Sequence, residues 1–393
     1  MFLCALCGDQ LLKVPFSRPS IGEEEIAEVA DCLRSGWLTT GPRTARFEQE
    51  FAAAHAAPRA LAVSSATAGL HLAMLALDLR PGDEVVTTPL TWPATVNVIV
   101  LAGGTPVLVD IEPETLNLDP ARLAAAVGPR TRAVVPVHYA GQPCDLDAIA
   151  AAAPGVAVIE DAAHAVGAAY RGRPIGSRGA AAVFSFHPIK NITTGEGGMV
   201  TSSDAELASR IALLRSHGVE RDAWKAYGGA QLPLYDVVLP GLKYNLTDIQ
   251  SAIGLHQLRK LPAFTAERTR LAARYDAALA AIAGVRPLGR AAYPCNHVHH
   301  LYVVRLDLER FDCDRNAFMS EVIAAGVGLG LHFTAVHELT YCRQRLGDLR
   351  ATLPVATDAS ARIFSLPLFP GLSEAEQDRV VEVVAEVARR HAR

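Results

Sequence analysis

Residues 184–198 read FSFHPIKNITTGEGG, and this stretch places one lysine, Lys190, among small and hydroxylated residues. The apolar run at residues 180–186 predicts a buried strand directly before it. Burying a lysine there is costly unless the amine is paired or chemically used. Two alternatives follow, a solvated lysine on a loop or a lysine that the fold holds for chemistry.

The sequence around this stretch alternates between strand-like and helix-like patterns. Strands are predicted at residues 60–65, 84–88, 106–110, 133–138, 156–161 and 181–186. Helices are predicted between several of them, at residues 68–79, 94–102, 120–127 and 146–153. Strands that alternate with helices and are apolar throughout favour a mainly parallel sheet covered on both faces. The expected fold class is therefore α/β.

The pattern changes after residues 241–261, so a second domain is expected. A long helical stretch runs to about residue 283, followed by a strand at 300–308 and helices at 314–325 and 373–391. A chain of 393 residues is also long for one hydrophobic core. We predict an N-terminal extension at 1–14, a large domain at 15–255 and a smaller α+β domain at 256–393.

Composition excludes several classes of protein. Half of the residues are hydrophobic and the net charge is −4, with no long run of one sign. We therefore expect neither a nucleic-acid surface nor a membrane span. The N-terminus lacks a basic region and a cleavage site, which predicts a cytoplasmic protein. The seven cysteines are scattered, and Cys4 and Cys7 form an isolated C-x-x-C without further ligands, so no metal site is predicted.

The stretch SSATAGLHLAML, residues 64–75, offers a phosphate site. Ser65, Ala66 and Thr67 lie where a strand gives way to a helix, and helix N-termini attract phosphate through free N–H groups and the helix dipole. Serine and threonine are also ordinary helix caps, so simple capping stays open as the alternative.

In VIEDAAHAVG, residues 158–167, Asp161 ends an apolar strand. Ligands bind at the carboxyl ends of parallel strands, and a carboxylate there can keep the ring nitrogen of pyridoxal phosphate (PLP) protonated. His164 could orient this aspartate. The alternative is a capping aspartate followed by an exposed histidine.

Lys190 completes this series. A lysine that forms a Schiff base must lie near a carbonyl cofactor and lose its proton readily. Ser185 could bind the same phosphate, and the glycines at 195, 197 and 198 allow the backbone to lie close to a ligand. A phosphate site, then Asp161, then Lys190 on successive strand ends is the order found in the aspartate-aminotransferase-like PLP fold.

The sequence resembles the DegT/DnrJ/EryC1/StrS family of PLP-dependent nucleotide-sugar aminotransferases from residue 15 onward. The resemblance is carried by residues 35–42, 62–74, 106–120, 136–149, 158–176, 184–198 and 241–254. Within the family it is closest to the branch that makes UDP-4-amino-4-deoxy-L-arabinose. That closer likeness lies in LTW (90–92), DAAHAVG, KNITTGEGG, KYNLTDIQ, GLHF (330–333) and SLPLFPGL (365–372).

The resemblance implies a role for each matching position. Lys190 would be the Schiff-base lysine and Asp161 the partner of the ring nitrogen, with His164 behind it. The phosphate would be held by Ser65, Ala66, Thr67, Ala68 and Ser185. Trp92 would stack on the ring, unless it is a core tryptophan. Asn245 would reach the phosphate of a partner subunit in a homodimer, unless it belongs to a helix cap. Thr40 and His332 are candidate substrate residues, although a core or interface histidine is equally open.

The resemblance also implies a ping-pong transamination. L-Glutamate would donate its nitrogen to PLP, and the aminated cofactor would pass it to a 4-keto sugar carried on a nucleotide. Two alternatives remain, an aminotransferase for scyllo-inosose or another keto sugar, and a non-catalytic PLP-binding regulator. Related sugar 3-dehydratases carry histidine in place of the lysine, so Lys190 argues against them.

Overall fold

The computed structural model of the chain describes residues 13–220 and 235–393. The helices in these ranges are α1 (Glu23–Ser35), α2 (Pro42–Ala54), α3 (Ala66–Ala76), α4 (Pro93–Leu101), α5 (Pro120–Ala126), α6 (Leu146–Ala152), α7 (Ala205–Leu214), α8 (Asp248–Leu279), α9 (Arg315–Ala324), α10 (Thr340–Leu346), α11 (Pro354–Arg362) and α12 (Glu374–Arg390).

The strands in the same ranges are β1 (Arg59–Val63), β2 (Glu84–Thr87), β3 (Thr105–Leu108), β4 (Thr131–Val135), β5 (Ala157–Asp161), β6 (Ala169–Tyr170), β7 (Arg173–Pro174), β8 (Ala181–Ser185), β9 (Gly198–Ser202), β10 (Val219–Glu220), β11 (Asp236–Val237), β12 (Val285–Pro287), β13 (Cys295–Asn296), β14 (Tyr302–Leu306) and β15 (Ile363–Leu366). Every strand and helix predicted from the sequence in the large domain is present, within a few residues of its predicted ends.

Seven strands form the central sheet, in the order β1-β9-β8-β5-β4-β2-β3. Within this sheet the neighbouring pairs β3–β2, β2–β4, β4–β5 and β5–β8 are parallel, whereas β9 runs antiparallel to both β8 and β1. The predicted mainly parallel α/β sheet is therefore confirmed, with one reversed strand that was not predicted.

Helix α3 packs very closely on this sheet. A Cβ atom at Gly69 would lie 2.7 Å from Val183 and 2.9 Å from Val200, so a larger side chain would push the helix away. The N-terminus of α3 is thereby held over the ends of the neighbouring strands.

The C-terminal part of the chain has its own core. Strands β12, β14 and β15 form an antiparallel sheet, and α9 and α12 pack around it with the second half of α8. Val14 also lies in this core and pairs with Val327. Helix α8 has 32 residues and continues across the predicted boundary after residue 255. The domain limits at 14 and 255 stay a prediction.

Asp248 is fully buried at the N-terminus of α8 and contacts the N-terminus of α2. Its carboxylate accepts hydrogen bonds from the amides of Gly41, Arg43 and Thr44 at 2.8–3.0 Å. The first residue before α2 is Gly41, which has no side chain to cap the helix. A residue from α8 therefore supplies the negative group that the N-terminus of α2 requires.

None of the helices in the described ranges is both long enough and apolar enough to cross a bilayer. The five cysteines in these ranges are all free thiols. Cys4 and Cys7 lie outside the described residues.

Candidate active site

The carboxyl ends of β1 and β8 meet on either side of Gly198, the first residue of β9. Gly198 pairs with Val63 in β1 and with Ser185 in β8. A Cβ atom at Gly198 would lie 2.7 Å from the carbonyl carbon of Ser65 and 2.8 Å from the amide nitrogen of Ala66. Only glycine lets β9 approach the first turn of α3 so closely. The register thus brings Ser185 to the same helix N-terminus as Ser65 and Ala66.

Helix α3 presents its first turn at this point. Ser65 is the N-cap, and its hydroxyl oxygen accepts a hydrogen bond from the Ala68 amide at 3.0 Å. The capping alternative for Ser65 is therefore observed in this structure. Thr67 is exposed in the same turn, and the Ser185 hydroxyl accepts a hydrogen bond of 3.5 Å from the His187 amide. The turn keeps the electrostatic character that suits a phosphate.

Asp161 is buried at the end of β5. Thr95, in α4, donates a hydrogen bond of 2.8 Å to Oδ2, and the Ala163 amide donates one of 3.2 Å to Oδ1. Burial raises the pKa of Asp161, while these two donors and the positive charge of Lys190 act in the opposite direction. Since no helix follows residue 161, the helix-cap alternative for this aspartate is wrong.

Lys190 lies in the loop between β8 and β9 and is partly buried. Burial lowers the pKa of its amine to about 8, and the nearby charge of Asp161 opposes this shift. The positive charge of Lys190 in turn helps to lower the pKa values of His164 and His332. Lys190 therefore lies near these titratable groups and is only partly exposed, which argues against the solvated-loop alternative.

His164 is buried beside Lys190 rather than exposed. One side of its ring stacks on Phe333 at 5.7 Å, and the ring of His300 lies 4.4 Å away. Burial lowers the pKa of His164 well below its ordinary value. We expected His164 to orient Asp161, but the side chain that donates to this carboxylate is Thr95. The role of His164 behind Asp161 stays a prediction.

Trp92 is the residue directly before α4 and is 44% exposed. Its ring lies 6.1 Å from the ring of Phe333, which also stacks on His164. The alternative of a buried core tryptophan is therefore wrong. The predicted stacking role for Trp92 is compatible with this position, since one wall of the pocket consists of aromatic rings.

Asn245 lies beside the end of β1 of its own chain, where it pairs with Val63. Its side-chain nitrogen donates to the Thr40 hydroxyl at 2.6 Å, and that hydroxyl donates to the Leu246 carbonyl at 2.5 Å. Thr247, not Asn245, is the N-cap of α8. Thr40 is thus brought to Asn245, and no described contact joins it to Lys190. The role of Asn245 in a partner subunit stays a prediction.

His332 borders the pocket of Lys190. Its Nδ1 is hydrogen-bonded to the Ser365 hydroxyl at 2.9 Å, and its ring stacks on Phe16 at 5.4 Å. Burial, and then the charge of Lys190, lower the pKa of His332 to about 3. Tyr139 donates a hydrogen bond to the carbonyl of the same residue. His332 is therefore a neutral wall of this pocket at physiological pH.

Sequence reasoning missed several residues that contribute to the pocket. These are Phe16, Thr95, Tyr139, His300 and Phe333. Phe333 follows His332 within the quoted GLHF segment, and Thr95 follows LTW by three residues. The position of these two residues in or next to a quoted motif was the sequence signal that could have identified them.

The residues of this pocket fit pyridoxal phosphate. Asp161 provides a buried carboxylate for a protonated ring nitrogen, and Lys190 provides an amine that loses its proton readily. The first turn of α3, against which Gly198 packs closely, provides a helix N-terminus of the kind that binds phosphate. A buried nitrogen of His164, Nδ1, also has no partner within the described chain.

The fold and this pocket define a PLP-dependent aminotransferase of fold type I. The chain belongs to the DegT/DnrJ/EryC1/StrS aminotransferase family, whose sequence profile matches residues 19–385.

Solved structures of sugar aminotransferases are similar to it. The Spr1654 protein of Streptococcus pneumoniae, described as a sugar aminotransferase, is 33% identical in its PMP form, with a TM-score of 0.89 over 96% of this chain and 100% of that one. Its PLP form gives a TM-score of 0.87 at the same identity, over 96% and 99% of the two chains. Helicobacter pylori PseC, an aminotransferase involved in the biosynthesis of pseudoaminic acid, is 28% identical, with a TM-score of 0.88 over 96% and 99% of the two chains. These findings confirm the prediction of a PLP-dependent aminotransferase.

Proposed function

We propose that this enzyme transfers the amino group of L-glutamate to a 4-keto sugar carried on a nucleotide, of the UDP-4-keto-pentose type. The segments GLHF and SLPLFPGL resemble the UDP-4-amino-4-deoxy-L-arabinose–oxoglutarate aminotransferase (ArnB) branch. They lie together, because Gly330 and Ser365 form a backbone bridge and His332 is hydrogen-bonded to Ser365. The charge of Lys190 contributes to the lowered pKa of His332, which supports a position of these segments near the reactive amine. This convergence is the observation that carries the substrate proposal.

The chain's own residues divide the work of the reaction. PLP, when bound, supplies an electron sink for the negative charge that develops beside the transferred nitrogen. Lys190 would accept a proton and return it, since its pKa of about 8 suits both directions near neutral pH. Asp161, kept charged by Thr95 and Ala163, holds a positive charge on the ring nitrogen. The stacked rings of Phe333 and His164, both buried, form one side of the pocket.

We further propose a homodimer in which Asn245 serves the phosphate of the partner's site. Subunit mixing tests this proposal. Lys190→Ala and a disabling Asn245→Ala variant are prepared separately, exchanged and recombined. Random pairing makes about half of the dimers mixed, and each mixed dimer has one intact site, so about a quarter of the wild-type activity should return by two-fold symmetry. No recovery after exchange is verified with mass-tagged subunits would contradict the shared site.

A turnover panel tests the substrate. The enzyme is supplied with L-glutamate and with 4-keto sugars on different nucleotides, and scyllo-inosose serves as the competing acceptor. We expect the highest kcat/KM for a UDP-linked 4-keto pentose. A higher kcat/KM for scyllo-inosose would contradict the nucleotide-sugar proposal and make scyllo-inosose the substrate. A yellow protein that no amino donor bleaches would instead indicate a regulator. The cytoplasmic location stays a prediction of the sequence.

A further inference from the structure

His300, two residues before β14, occupies a buried position beside the pocket that the reaction scheme does not use. It is 2% exposed, and its Nδ1 is 3.1 Å from Oδ1 of Asn191, the residue after Lys190. The Asn191 amide nitrogen donates to the Val298 carbonyl at 3.0 Å, so the oxygen of the Asn191 amide is the atom that faces His300. Because that oxygen can only accept, Nδ1 of His300 carries the proton.

The proton on Nδ1 leaves Nε2 of His300 as an acceptor. This nitrogen is buried and has no hydrogen-bond partner among the described residues. The ring of His164 lies 4.4 Å from that of His300, and its Nδ1 is likewise buried without a partner in the described ranges. Leaving two buried ring nitrogens without hydrogen-bond partners is destabilising. Both nitrogens would be satisfied if His164 Nδ1 donated a hydrogen bond and His300 Nε2 accepted it.

Both rings are neutral at physiological pH. Burial lowers the pKa values of His164 and His300 well below the ordinary value for histidine. A neutral imidazole has one N–H donor and one acceptor nitrogen, so fixing one nitrogen also fixes the other. The state of His300 therefore determines which nitrogen of His164 can carry a proton.

The backbone holds His300 rigidly. The buried guanidinium of Arg268 donates to the carbonyls of His299 and His300 at 3.2 Å each and to the Leu368 carbonyl at 2.8 Å. A Cβ atom at Gly141 would lie 3.0 Å from the His300 amide nitrogen, so the segment is also confined from the opposite side. An acceptor fixed in this way can impose an orientation on its neighbour.

We propose that His300 is a positioning residue that sets the tautomer of His164. In this arrangement Asn191 accepts from His300 Nδ1, and His300 Nε2 accepts the proton on His164 Nδ1, directly or through one buried water. Nε2 of His164 then has no proton and presents a lone pair to the pocket of Lys190 and the cofactor. The effect on the cofactor rests on the proposed function, whereas the pairing of the two rings does not.

A crystal structure of the cofactor-free protein tests the pairing itself. We expect His164 Nδ1 within hydrogen-bond distance of His300 Nε2, or both nitrogens bonded to a single water. A structure in which either nitrogen is bonded to another group, or in which both have no partner, would overturn the proposal. This measurement requires neither activity nor an identified substrate, so it can fail or succeed independently of the proposed function.

Two variants distinguish the contribution of His300 Nδ1 from that of His300 Nε2 in the folded protein. His300→Asn keeps an amide near the Nδ1 position and loses the Nε2 position, whereas His300→Gln keeps a hydrogen-bonding group near Nε2. We expect the PLP dissociation constant to rise about tenfold in His300→Asn and to stay within about twofold in His300→Gln. Equal dissociation constants in the two variants, with equal losses of Tm, would show a packing role only and would overturn the proposal.

Discussion

Replacing Thr95 by valine removes the side-chain hydrogen bond to Asp161 while nearly preserving shape. Thr95 is 1% exposed, and its hydroxyl lies 2.8 Å from Oδ2 of the carboxylate. A hydrogen bond to a charged group contributes about 1.5–3 kcal/mol. If this stabilisation acts on the charged form of Asp161 during the reaction, its loss should slow the reaction about 10- to 150-fold.

The pH dependence of Thr95→Val provides a second measurement. Burial already raises the pKa of Asp161, and the Thr95 hydroxyl is the first of the groups that lower it. Valine should therefore raise this pKa further, so that part of the lost rate returns as the pH increases and the carboxylate ionises. The assay is the single-turnover reaction with an amino donor, followed through the visible absorption of the lysine-bound cofactor.

Two control variants make the result specific. Thr95→Ser keeps a hydroxyl and should retain a rate near that of the wild type. Thr91→Val removes the hydroxyl that is 2.8 Å from that of Thr95 but leaves the bond to Asp161 in place. If Thr95→Val matched Thr95→Ser within twofold at every pH, the hydrogen bond would have no role in keeping Asp161 charged.

Four further predictions concern the lysine and the aspartate. Lys190→Ala should fold but lose turnover and the visible band, whereas the exposed-site variant Lys13→Ala should keep both; borohydride trapping at a different lysine would contradict the assignment. Asp161→Asn should reduce turnover about 10²- to 10³-fold, with a smaller loss of PLP affinity, and activity within a few fold of wild type would contradict the ring-nitrogen role. In the cofactor-free protein, competitive acylation of Lys190 should show a midpoint near pH 8 rather than 10.5, and Asp161→Asn should lower it. Because the unfolded chain still holds the proton that the folded chain has lost, this lysine should add stability as the pH rises from about 8 to 10.5; a midpoint near 10.5 would refute both statements.

The central sheet could be predicted because its parallel strands are short apolar runs with turns at their ends. Residues 84–88 were predicted as a strand, and the structure has Glu84–Thr87. Strand β9 was missed because Gly198 begins it directly after a glycine-rich loop. Its five buried residues become a strand by pairing with β1 and β8, which the local sequence does not encode.

The site could be predicted where function follows from a strand end. Asp161 and Lys190 each lie next to an apolar run, and their residue types indicate the chemistry that they can perform. Thr95 and His300 were missed because their side chains reach the pocket from a helix and from the segment before β14. For the same reason the sequence pointed to His164, which is close to Asp161 along the chain, and not to Thr95, which donates to its carboxylate.

The cap that Asp248 places on α2 has a consequence for synthesis on the ribosome. Asp248 is separated from Thr44, whose amide it binds, by 204 positions. At about 5–20 residues per second, the ribosome needs about 10–40 s to reach that aspartate after Thr44 has been made. The start of α2 remains without its carboxylate throughout that interval. A nascent chain released before residue 248 should therefore expose this N-terminal segment to proteases and to chaperones.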